Sequence, residues 1–312
     1  MLCGIKWCAF ISRKNASRLQ KLSKIIVNQD RNTRRELTID GVPKTWIRKG
    51  QLNGWHIEIT KETNGFKLMV RGSLHKIYKG NNTGTFTGVE VIAALEEMFT
   101  QFDVGPTEAI ISYVEVGINI PVPFKVFPYL QDNLLFHKKK MSKRFDEDGR
   151  GFEFNYDDYL VKVYEKEQHI LRFEVRYKSK DKLGQFRVFN ASDLYEPTIN
   201  SLVDSLLPEW GNLILANGVN IYDKKNRLDG MPYRDREKIL EYTSTKYHQD
   251  YNTKYKKADQ RGKWALQQEM SRLRRSVVQI IEKYGNDDHL KLAEALASGI
   301  KSFKETWVEV EA

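Results

Sequence analysis

The stretch YDDYLVKVYEKEQHILRFEVRYK, residues 156–178, contains two runs in which residue character alternates at every step. The apolar and aromatic residues that recur at every second position are Tyr159, Val161, Val163, Leu171, Phe173 and Val175. A period of two that is rich in β-branched and aromatic residues is typical of β-strands. Because a short polar segment, residues 166–169, separates the two runs, the stretch predicts a β-hairpin.

The opposite face of this hairpin carries a distinctive set of side chains, which are Lys162, Tyr164, Lys166, Arg172, Glu174 and Arg176. A phenol flanked by cations and one carboxylate suits a covalent tyrosine nucleophile, an acid that holds a metal, and bases that bind phosphate. The same pattern also fits the plain solvated face of a twisted hairpin. The rest of the sequence supplies the context.

Similar patterns precede and follow the hairpin. Alternation over residues 55–59 and 66–71 predicts an earlier hairpin, followed by an amphipathic helix over 89–102 and a buried strand over 109–120. After the central hairpin, we expect a helix over 192–207 and a short strand over 212–216. Because the order hairpin, helix, strand occurs twice, we predict an α+β fold. Its two similar halves, about 1–145 and 146–225, would form an antiparallel-rich sheet.

The remaining sequence has helical periodicity. Tyr247, Tyr251 and Tyr255 recur at every fourth position among several lysines. We therefore predict a helical C-terminal domain over 226–312, appended to an α+β domain over 1–225. The tyrosine and lysine face could follow a DNA backbone, but tyrosines packed inward on a solvated helix are the commoner arrangement.

The charge balance points to a polyanionic partner. The chain has 51 Lys and Arg against 41 Asp and Glu, a formal net charge of +10. Such an excess favours a nucleic acid partner. The two cysteines, Cys3 and Cys8, supply neither a disulfide framework nor a zinc site. The chain starts without a basic signal region, and no stretch approaches the roughly 18 apolar residues of a membrane span. We therefore expect a cytoplasmic protein with no membrane partner.

Several common catalytic motifs are missing from the sequence. The six histidines show no metal-binding spacing. In particular, no two of them flank a single hydrophobic residue, as the metal-binding histidines of many nicking enzymes do. There is no P-loop, no GxGxxG that opens a helix after a strand, and no GxSxG. These absences argue against zinc hydrolases, nucleotide-driven enzymes and serine hydrolases.

Two acidic residues lie in the middle of predicted strands. Glu115 interrupts an apolar run, and Glu174 lies between Phe173 and Val175. A carboxylate at such a position destabilises the fold unless it is paired or binds an ion. Glu115 and Glu174 could therefore meet on Mg²⁺ or Mn²⁺. The alternative pairs Glu174 with Arg172 or Arg176 and Glu115 with a lysine, because ion pairs in sheets are common.

Other cations are candidates for DNA binding. The glycine-marked loop over residues 72–82 offers backbone N–H groups together with Lys76 and Lys79, and Arg71 precedes it. Glycines that merely turn a corner fit this loop equally well. The C-terminal candidates, on a predicted amphipathic helix, are Arg272, Arg274 and Arg275.

The central hairpin resembles a known family at two segments, 163–166 (VYEK) and 171–176 (LRFEVR). Tyrosine, acid and lysine on one strand, followed by arginine, aromatic, glutamate, hydrophobe and arginine on the next, is similar to rolling-circle replication initiators and relaxases of the non-HUH class. These include plasmid Rep and phage gene II-type replication proteins. The resemblance covers about 55–207 and implies a fold of two similar α+β halves.

The resemblance also implies roles for individual residues. Glu174 would be a ligand of Mg²⁺ or Mn²⁺, with Glu115 as the acid on the strand that closes the first half. Tyr164 is the first choice for the nucleophile, followed by Tyr159 and Tyr156. The basic residues that would stabilise the transition state are Lys162, Lys166, Arg172 and Arg176.

We therefore expect a DNA nicking and joining protein that initiates rolling-circle replication of a plasmid or phage, or transfer of a mobile element. Its expected partners are duplex origin DNA, single-stranded DNA and a host helicase, and a homodimer is a possible assembly. A non-catalytic DNA-binding protein on the same scaffold is the alternative from a different class. An RNA-binding protein is the third.

Overall fold

The computed structural model describes residues 2–23, 47–62, 65–131, 135–137, 140–141, 143–144, 150–215, 231–284 and 288–307. Within these ranges, the fold is α+β, as predicted, and it is built on one nine-stranded antiparallel sheet. The strands of this sheet are β1 (Leu2–Ile11), β2 (Ile47–Leu52), β3 (Trp55–Glu62), β4 (Gly65–Ser73), β5 (Ile110–Pro121), β8 (Lys143–Arg144), β9 (Gly151–Asn155), β10 (Tyr159–Glu167) and β11 (Ile170–Tyr177). They lie in the order β2-β3-β4-β1-β5-β11-β10-β9-β8.

A second, smaller sheet has three strands. These are β6 (Leu135–His137), β7 (Lys140–Met141) and β12 (Leu213–Leu215), in the order β12-β6-β7. Strand β12 confirms the short strand predicted over 212–216, of which residue 216 lies outside the described part of the chain.

The large sheet consists of two halves with the same topology. Central strand β1 is followed by helix α1 (Arg13–Leu22) and a meander, β2-β3-β4, whose last strand returns to pair with β1. Central strand β5 is followed by helix α4 (Val126–Gln131) and the meander β9-β10-β11, whose last strand pairs with β5. The prediction of two halves that share a sheet is confirmed, but β5 opens the second half instead of closing the first. The boundary therefore lies just before residue 110, not near 145.

Helices cover one face of the sheet. Those named so far are joined by α3 (Gly88–Phe102), α5 (Lys180–Gln185), α6 (Glu196–Asp204) and α7 (Leu206–Gly211). Trp7 of β1 packs against Phe99 and Phe102 of α3, and Phe173 of β11 packs edge-on against Trp210 of α7. The helix predicted over 192–207 is thus interrupted between α6 and α7.

The glycine-marked segment predicted as a loop contains a short helix, α2 (Leu74–Lys79). The Ser73 side chain accepts a hydrogen bond from the backbone N–H of Lys76 and so caps this helix. Gly80 ends it with a φ of 79°, in the left-handed region that favours glycine.

The C-terminal residues are helical as predicted, but they do not form one appended domain. Helices α8 (Tyr233–Thr243), α9 (Thr245–Lys257) and α10 (Gln260–Tyr284) share a small separate core. Helix α11 (Asp288–Lys304) instead joins the main core, where Gly299 lets it approach Ile118 of β5. Trp307, in the 3₁₀ turn after α11, donates a hydrogen bond of 2.8 Å to Asn200 of α6. The last helix therefore belongs to the sheet domain. No helix in the described residues is both long and apolar enough to cross a membrane.

Candidate active site

Three neighbouring strands bring polar side chains together on the sheet face opposite the core. Across β5, β11 and β10, two consecutive rows are Asn119, Arg172 and Tyr164, then Gly117, Glu174 and Lys162. A third row places Arg176 beside Glu115. Because the side-chain period of a strand is two, residues predicted on one face of the hairpin meet residues of β5 that are far away in sequence.

Glu174 is the centre of this cluster. Its carboxylate accepts hydrogen bonds from Lys162 Nζ at 2.9 Å, Arg172 Nε at 3.1 Å and the Tyr164 hydroxyl at 3.2 Å. The residue is only 3% exposed. Burial alone would raise the pKa of this carboxyl, but the ion pairs with Lys162 and Arg172 outweigh burial and hold the pKa well below its usual range. Glu174 is therefore a permanently ionised carboxylate.

Glu115 is the second acid of the cluster. Its Oε2 accepts a hydrogen bond of 2.5 Å from Arg176 Nε and lies 3.5 Å from Lys162 Nζ. Burial and the charge of Glu174 raise the pKa of Glu115 to about 7, and the two carboxyl groups are hydrogen-bonded to each other. Below a pH of about 7 the pair therefore holds one proton, and this proton lies on Glu115.

Two glycines make room for these carboxylates. A Cβ at Gly117 would lie 2.9 Å from the backbone oxygen of Phe173 and 3.1 Å from Glu174 Cβ. A Cβ at Gly4 would lie 3.2 Å from Glu115 Oε1. Both glycines lie on the polar face of a central strand, where any larger residue would push against an acid of the cluster.

Arg172, predicted to bind DNA, is buried. It is 1% exposed, and besides Glu174 it donates a hydrogen bond of 2.7 Å from Nη1 to Asn119 Oδ1. Asn119 in turn donates to the backbone oxygen of Thr83 at 3.0 Å. Arg172 therefore fixes the position of Glu174, and Asn119 anchors this arginine.

The three candidate tyrosines lie in two different places. Only Tyr164 is in the cluster, where burial and Glu174 raise its pKa. Tyr156 and Tyr159 stack on each other at 4.6 Å and pack against the hydrophobic core. The Tyr156 hydroxyl donates to the backbone oxygen of His137 at 2.7 Å, and His137 Nδ1 lies 2.8 Å from the same hydroxyl. These two tyrosines belong to the core and to its small sheet.

The other predicted cations differ in how exposed they are and in what they contact. Lys166 is half-buried at an irregularity of β10, and burial followed by the charge of Arg172 lowers its pKa. Lys76 of α2 is exposed, whereas Lys79 makes a 2.6 Å ion pair with Glu90 and so lies beside a competing anion. Arg176 stacks over the Tyr113 ring at 4.8 Å.

A polar row leads from this cluster across the first half of the sheet. The residues opposite one another on β3, β4, β1 and β5 are His56, Arg71, Lys6 and Tyr113. All four are half-buried or exposed. The predicted Arg71 therefore shares the sheet face of the Glu174 cluster, two strands away from β5.

The C-terminal arginines are not on the sheet. They belong to α10, where Arg272 and Arg275 are exposed and Arg274 is half-buried. Arg274 donates to the backbone oxygen of Asn212 at 3.1 Å and so links α10 to the end of α7. A role of Arg274 in DNA binding would compete with this structural contact.

The donor set of the cluster can be tested for its fit to a divalent ion. Glu115 and Glu174 offer oxygen ligands in contact with each other, and a cation would replace the proton that they share. Lys162 Nζ now lies between them, so the residues fit such an ion once this lysine moves aside. Within the described residues, no group of three or more His, Cys, Asp or Glu side chains is arranged to hold a metal.

Comparison with known proteins adds no assignment. Neither the scan against protein-family models nor the search of curated proteins finds a match to this chain.

One informative signal in the sequence was missed. The segments 68–73 (LMVRGS) and 173–179 (FEVRYKS) each end a meander, contain Val-Arg on the last strand, and finish on the serine that caps the next helix. Aligning the two segments would have identified β4 and β11 as equivalent strands. The internal boundary before β5 would then have followed.

Proposed function

We propose that this protein cuts and rejoins one strand of DNA through a covalent tyrosine intermediate, as the resembling replication initiators do. The observation that carries the proposal is the contact of the Tyr164 hydroxyl with Glu174, 3.2 Å apart, on a cation-rich sheet face beside Lys162 and Lys166. Tyr164 is half-buried, and the contact with Glu174 holds its hydroxyl in position. Tyr156 and Tyr159 lie away from this acid pair, stacked on each other against the core.

The acid pair would accept the proton of the nucleophile. The Tyr164 hydroxyl donates to Glu174, which is hydrogen-bonded to Glu115. With a pKa of about 7, Glu115 releases the shared proton near neutral pH. The doubly ionised pair can then take a proton from the phenol as its oxygen bonds to phosphorus. Glu174 alone would be a poor base, because its own pKa is depressed.

The same step breaks the bond between phosphorus and the 3′ oxygen of the preceding nucleotide. This oxygen leaves with the electron pair of the broken bond and takes a proton from Lys166, whose depressed pKa makes it a better acid than an ordinary lysine. The product is a 5′ phosphotyrosine and a free 3′ hydroxyl. Rejoining is the reverse reaction, in which a 3′ hydroxyl attacks the phosphotyrosine and the protons return.

The phosphate and its strand would lie along the cationic face. Lys162 and Arg176 remain partly accessible, with 15% and 31% of their side chains exposed, and can reach phosphate oxygens. The row of His56, Arg71, Lys6 and Tyr113 continues this face over neighbouring strands. Neighbouring strands are about 4.8 Å apart, so the row offers a path about 15 Å long for a single strand.

Glu174 and Glu115 are also the residues that would hold Mg²⁺ or Mn²⁺. A bound ion would polarise the phosphodiester and neutralise the charge that develops on it. With the acids held by an ion, Lys162 would contact a phosphate oxygen. The protein's own contribution is to fix Glu174 through Arg172 and Asn119 before the substrate arrives.

The second candidate is a non-catalytic DNA-binding protein. It is supported by the ion pairs themselves, since Lys162, Arg172 and Arg176 neutralise the two acids without any ligand. In this case the cluster only stabilises the sheet beneath a DNA-binding face.

Labelled single-stranded DNA from the neighbourhood of the gene, incubated with Mn²⁺ or with EDTA, tests the proposal on a denaturing gel. We expect the label to shift to the protein in Mn²⁺ and the shift to disappear in Tyr164→Phe. Tyr159→Phe is the matched control, because it removes a hydroxyl from the same strand on the other face, and it should retain the shift. Salt-sensitive binding without an adduct in the wild type would favour the second candidate. Normal nicking by the Phe variants of Tyr164, Tyr159 and Tyr156 would exclude a tyrosine nucleophile among them.

A further inference from the structure

The helices α8, α9 and α10 form a small basic unit, residues 231–284, which has its own core. This unit contains 13 Lys and Arg against 7 Asp and Glu, a net charge of +6 out of +10 for the whole chain. More than half of the excess positive charge therefore lies in 54 of the 312 residues. Such a concentration is the electrostatic footprint of a polyanion.

A groove runs along this unit between α8 and α10. Its walls include Lys238 and Glu241 of α8, Tyr247 of α9, and Trp264, Gln268 and Arg272 of α10. Trp264 lies at one edge and is 63% exposed. A tryptophan buries a large apolar surface when it finds a partner, and this one leaves most of that surface in water.

The groove and its edge differ in charge. Lys238 and Arg272 are balanced in the groove by Glu241 and Glu269, so it suits a neutral, flat group better than a phosphate. Counting about 100° per residue along α10, Arg261 and Arg275 fall within about 60° of Trp264. Both arginines are exposed. The edge of the groove thus combines an accessible indole with cations, while the interior offers amide and hydroxyl groups.

We propose that this groove binds single-stranded DNA, with one base stacked on Trp264 and the neighbouring phosphates on Arg261 and Arg275. Stacking on an aromatic side chain requires an unpaired base, which a duplex does not present. The inference rests on DNA as the substrate class of the proposed function, but it does not require cleavage. It gives the protein a second contact with the displaced strand, away from the sheet.

The deciding experiment compares two ligands of equal charge, measured by fluorescence anisotropy with the full-length protein in EDTA. One ligand is a labelled oligothymidylate of about 20 nucleotides, longer than a single stacking site needs. The other is an abasic strand of the same length. We expect Trp264→Ala to weaken oligothymidylate binding by about 5- to 150-fold, the range given by one stacked base, and to leave abasic binding unchanged.

Matched variants separate stacking from folding and from charge. Trp264→Phe keeps an aromatic face and should recover most of the affinity for oligothymidylate. Tyr233→Ala removes another aromatic of the same unit, 75% exposed and not part of the groove, and should have no effect. The double variant Arg261→Gln, Arg275→Gln should weaken the binding of both ligands. It should also lower the salt dependence, by about 0.7 in the logarithmic slope for each phosphate that the protein no longer neutralises.

Two results would overturn the inference. Either Trp264→Ala leaves oligothymidylate binding unchanged, or it weakens both ligands equally. Neither result bears on the outcome of the nicking assay, which depends on Tyr164. Conversely, the wild type could form no covalent adduct while Trp264→Ala loses oligothymidylate binding. That pair of results would refute the proposed catalysis and support DNA binding in the groove.

Discussion

Glu174→Gln should destabilise the protein strongly, because it leaves Arg172 buried without its counter-charge. Arg172 is 1% exposed and Glu174 is 3% exposed, so water cannot replace the missing ion pair. Breaking a buried pair by removing one partner costs about 3–5 kcal/mol. Because the amide still accepts a hydrogen bond, and Asn119 still holds Nη1 of Arg172, we expect a loss of about 3 kcal/mol in the free energy of unfolding.

Glu115→Gln is the matched control, and its effect should depend on pH. The pKa of Glu115 is raised from 4.5 to about 7, so this group contributes stability below its unfolded pKa and loses it as the pH rises through 7. At about 1.4 kcal/mol per pKa unit, the loss between about pH 5 and pH 8 approaches 3 kcal/mol. Glu174 has a lowered pKa, and its contribution is lost only at more acidic pH.

Urea unfolding at about pH 5 and pH 8, followed by circular dichroism, measures both effects. Wild type should lose stability between the two pH values, Glu115→Gln should lose much less, and Glu174→Gln should be the least stable at about pH 8, where its amide replaces an ionised carboxylate. Unfolding of Glu174→Gln at the wild-type urea concentration would contradict a stabilising ion pair between Arg172 and Glu174. A full wild-type pH dependence in Glu115→Gln would show that Glu115 is not the group that titrates.

Two further predictions concern the cluster. Adduct formation should increase about tenfold per pH unit below the pKa of Glu115, about 7, and level off above it, because Glu115 must be ionised both to accept a proton and to hold a cation. Glu115→Gln should be slow at every pH. A wild-type rate that falls as pH rises through 7 would contradict this role of Glu115. Gly117→Ala should lower the free energy of unfolding by about 1–3 kcal/mol, measured by thermal unfolding, because its Cβ would lie 2.9 Å from a backbone oxygen that cannot turn away. Gly184→Ala, where a Cβ has space, should be much less destabilising. Equal stability of the two variants would contradict the close fit at Gly117.

The sequence was sufficient for the elements whose signals are local. Strands β10 and β11 follow from alternation, and α3 follows from its apolar stripe. The prediction of a loop where α2 lies is wrong, because six residues between glycines are too short to show a helical period. The serine cap is the better guide at that point.

The rest depends on pairing between distant segments. Alternation assigns Arg172 to the polar face but does not say that Asn119, 53 residues away, and its neighbours bury it there. In the same way, α10 and α11 both show an apolar stripe, and only the three-dimensional structure distinguishes the core that each one joins. The roles of Tyr156 and Tyr159 also depend on this packing. Tyr159 lies on the apolar face of β10, Tyr156 lies just before that strand, and both side chains pack against the core.

Under the proposed function, the repeated topology explains why the cleavage site would lie in the second half of the sheet. If Val70 and Arg71 of β4 correspond to Val175 and Arg176 of β11, then Met69 stands where Glu174 stands, beside Cys8 of β1 instead of Gly117 of β5. A thioether cannot neutralise neighbouring cations. At the equivalent position of the first half, the side chain of Cys8 also occupies the space that Gly117 leaves for the Glu174 carboxylate in the second half. Lys67 and Arg71 therefore flank no carboxylate on β4, whereas Arg172 and Arg176 flank Glu174 on β11. The first half keeps the cations of the face without its central acid, which would favour phosphate binding there and leave the proposed bond cleavage to the second half.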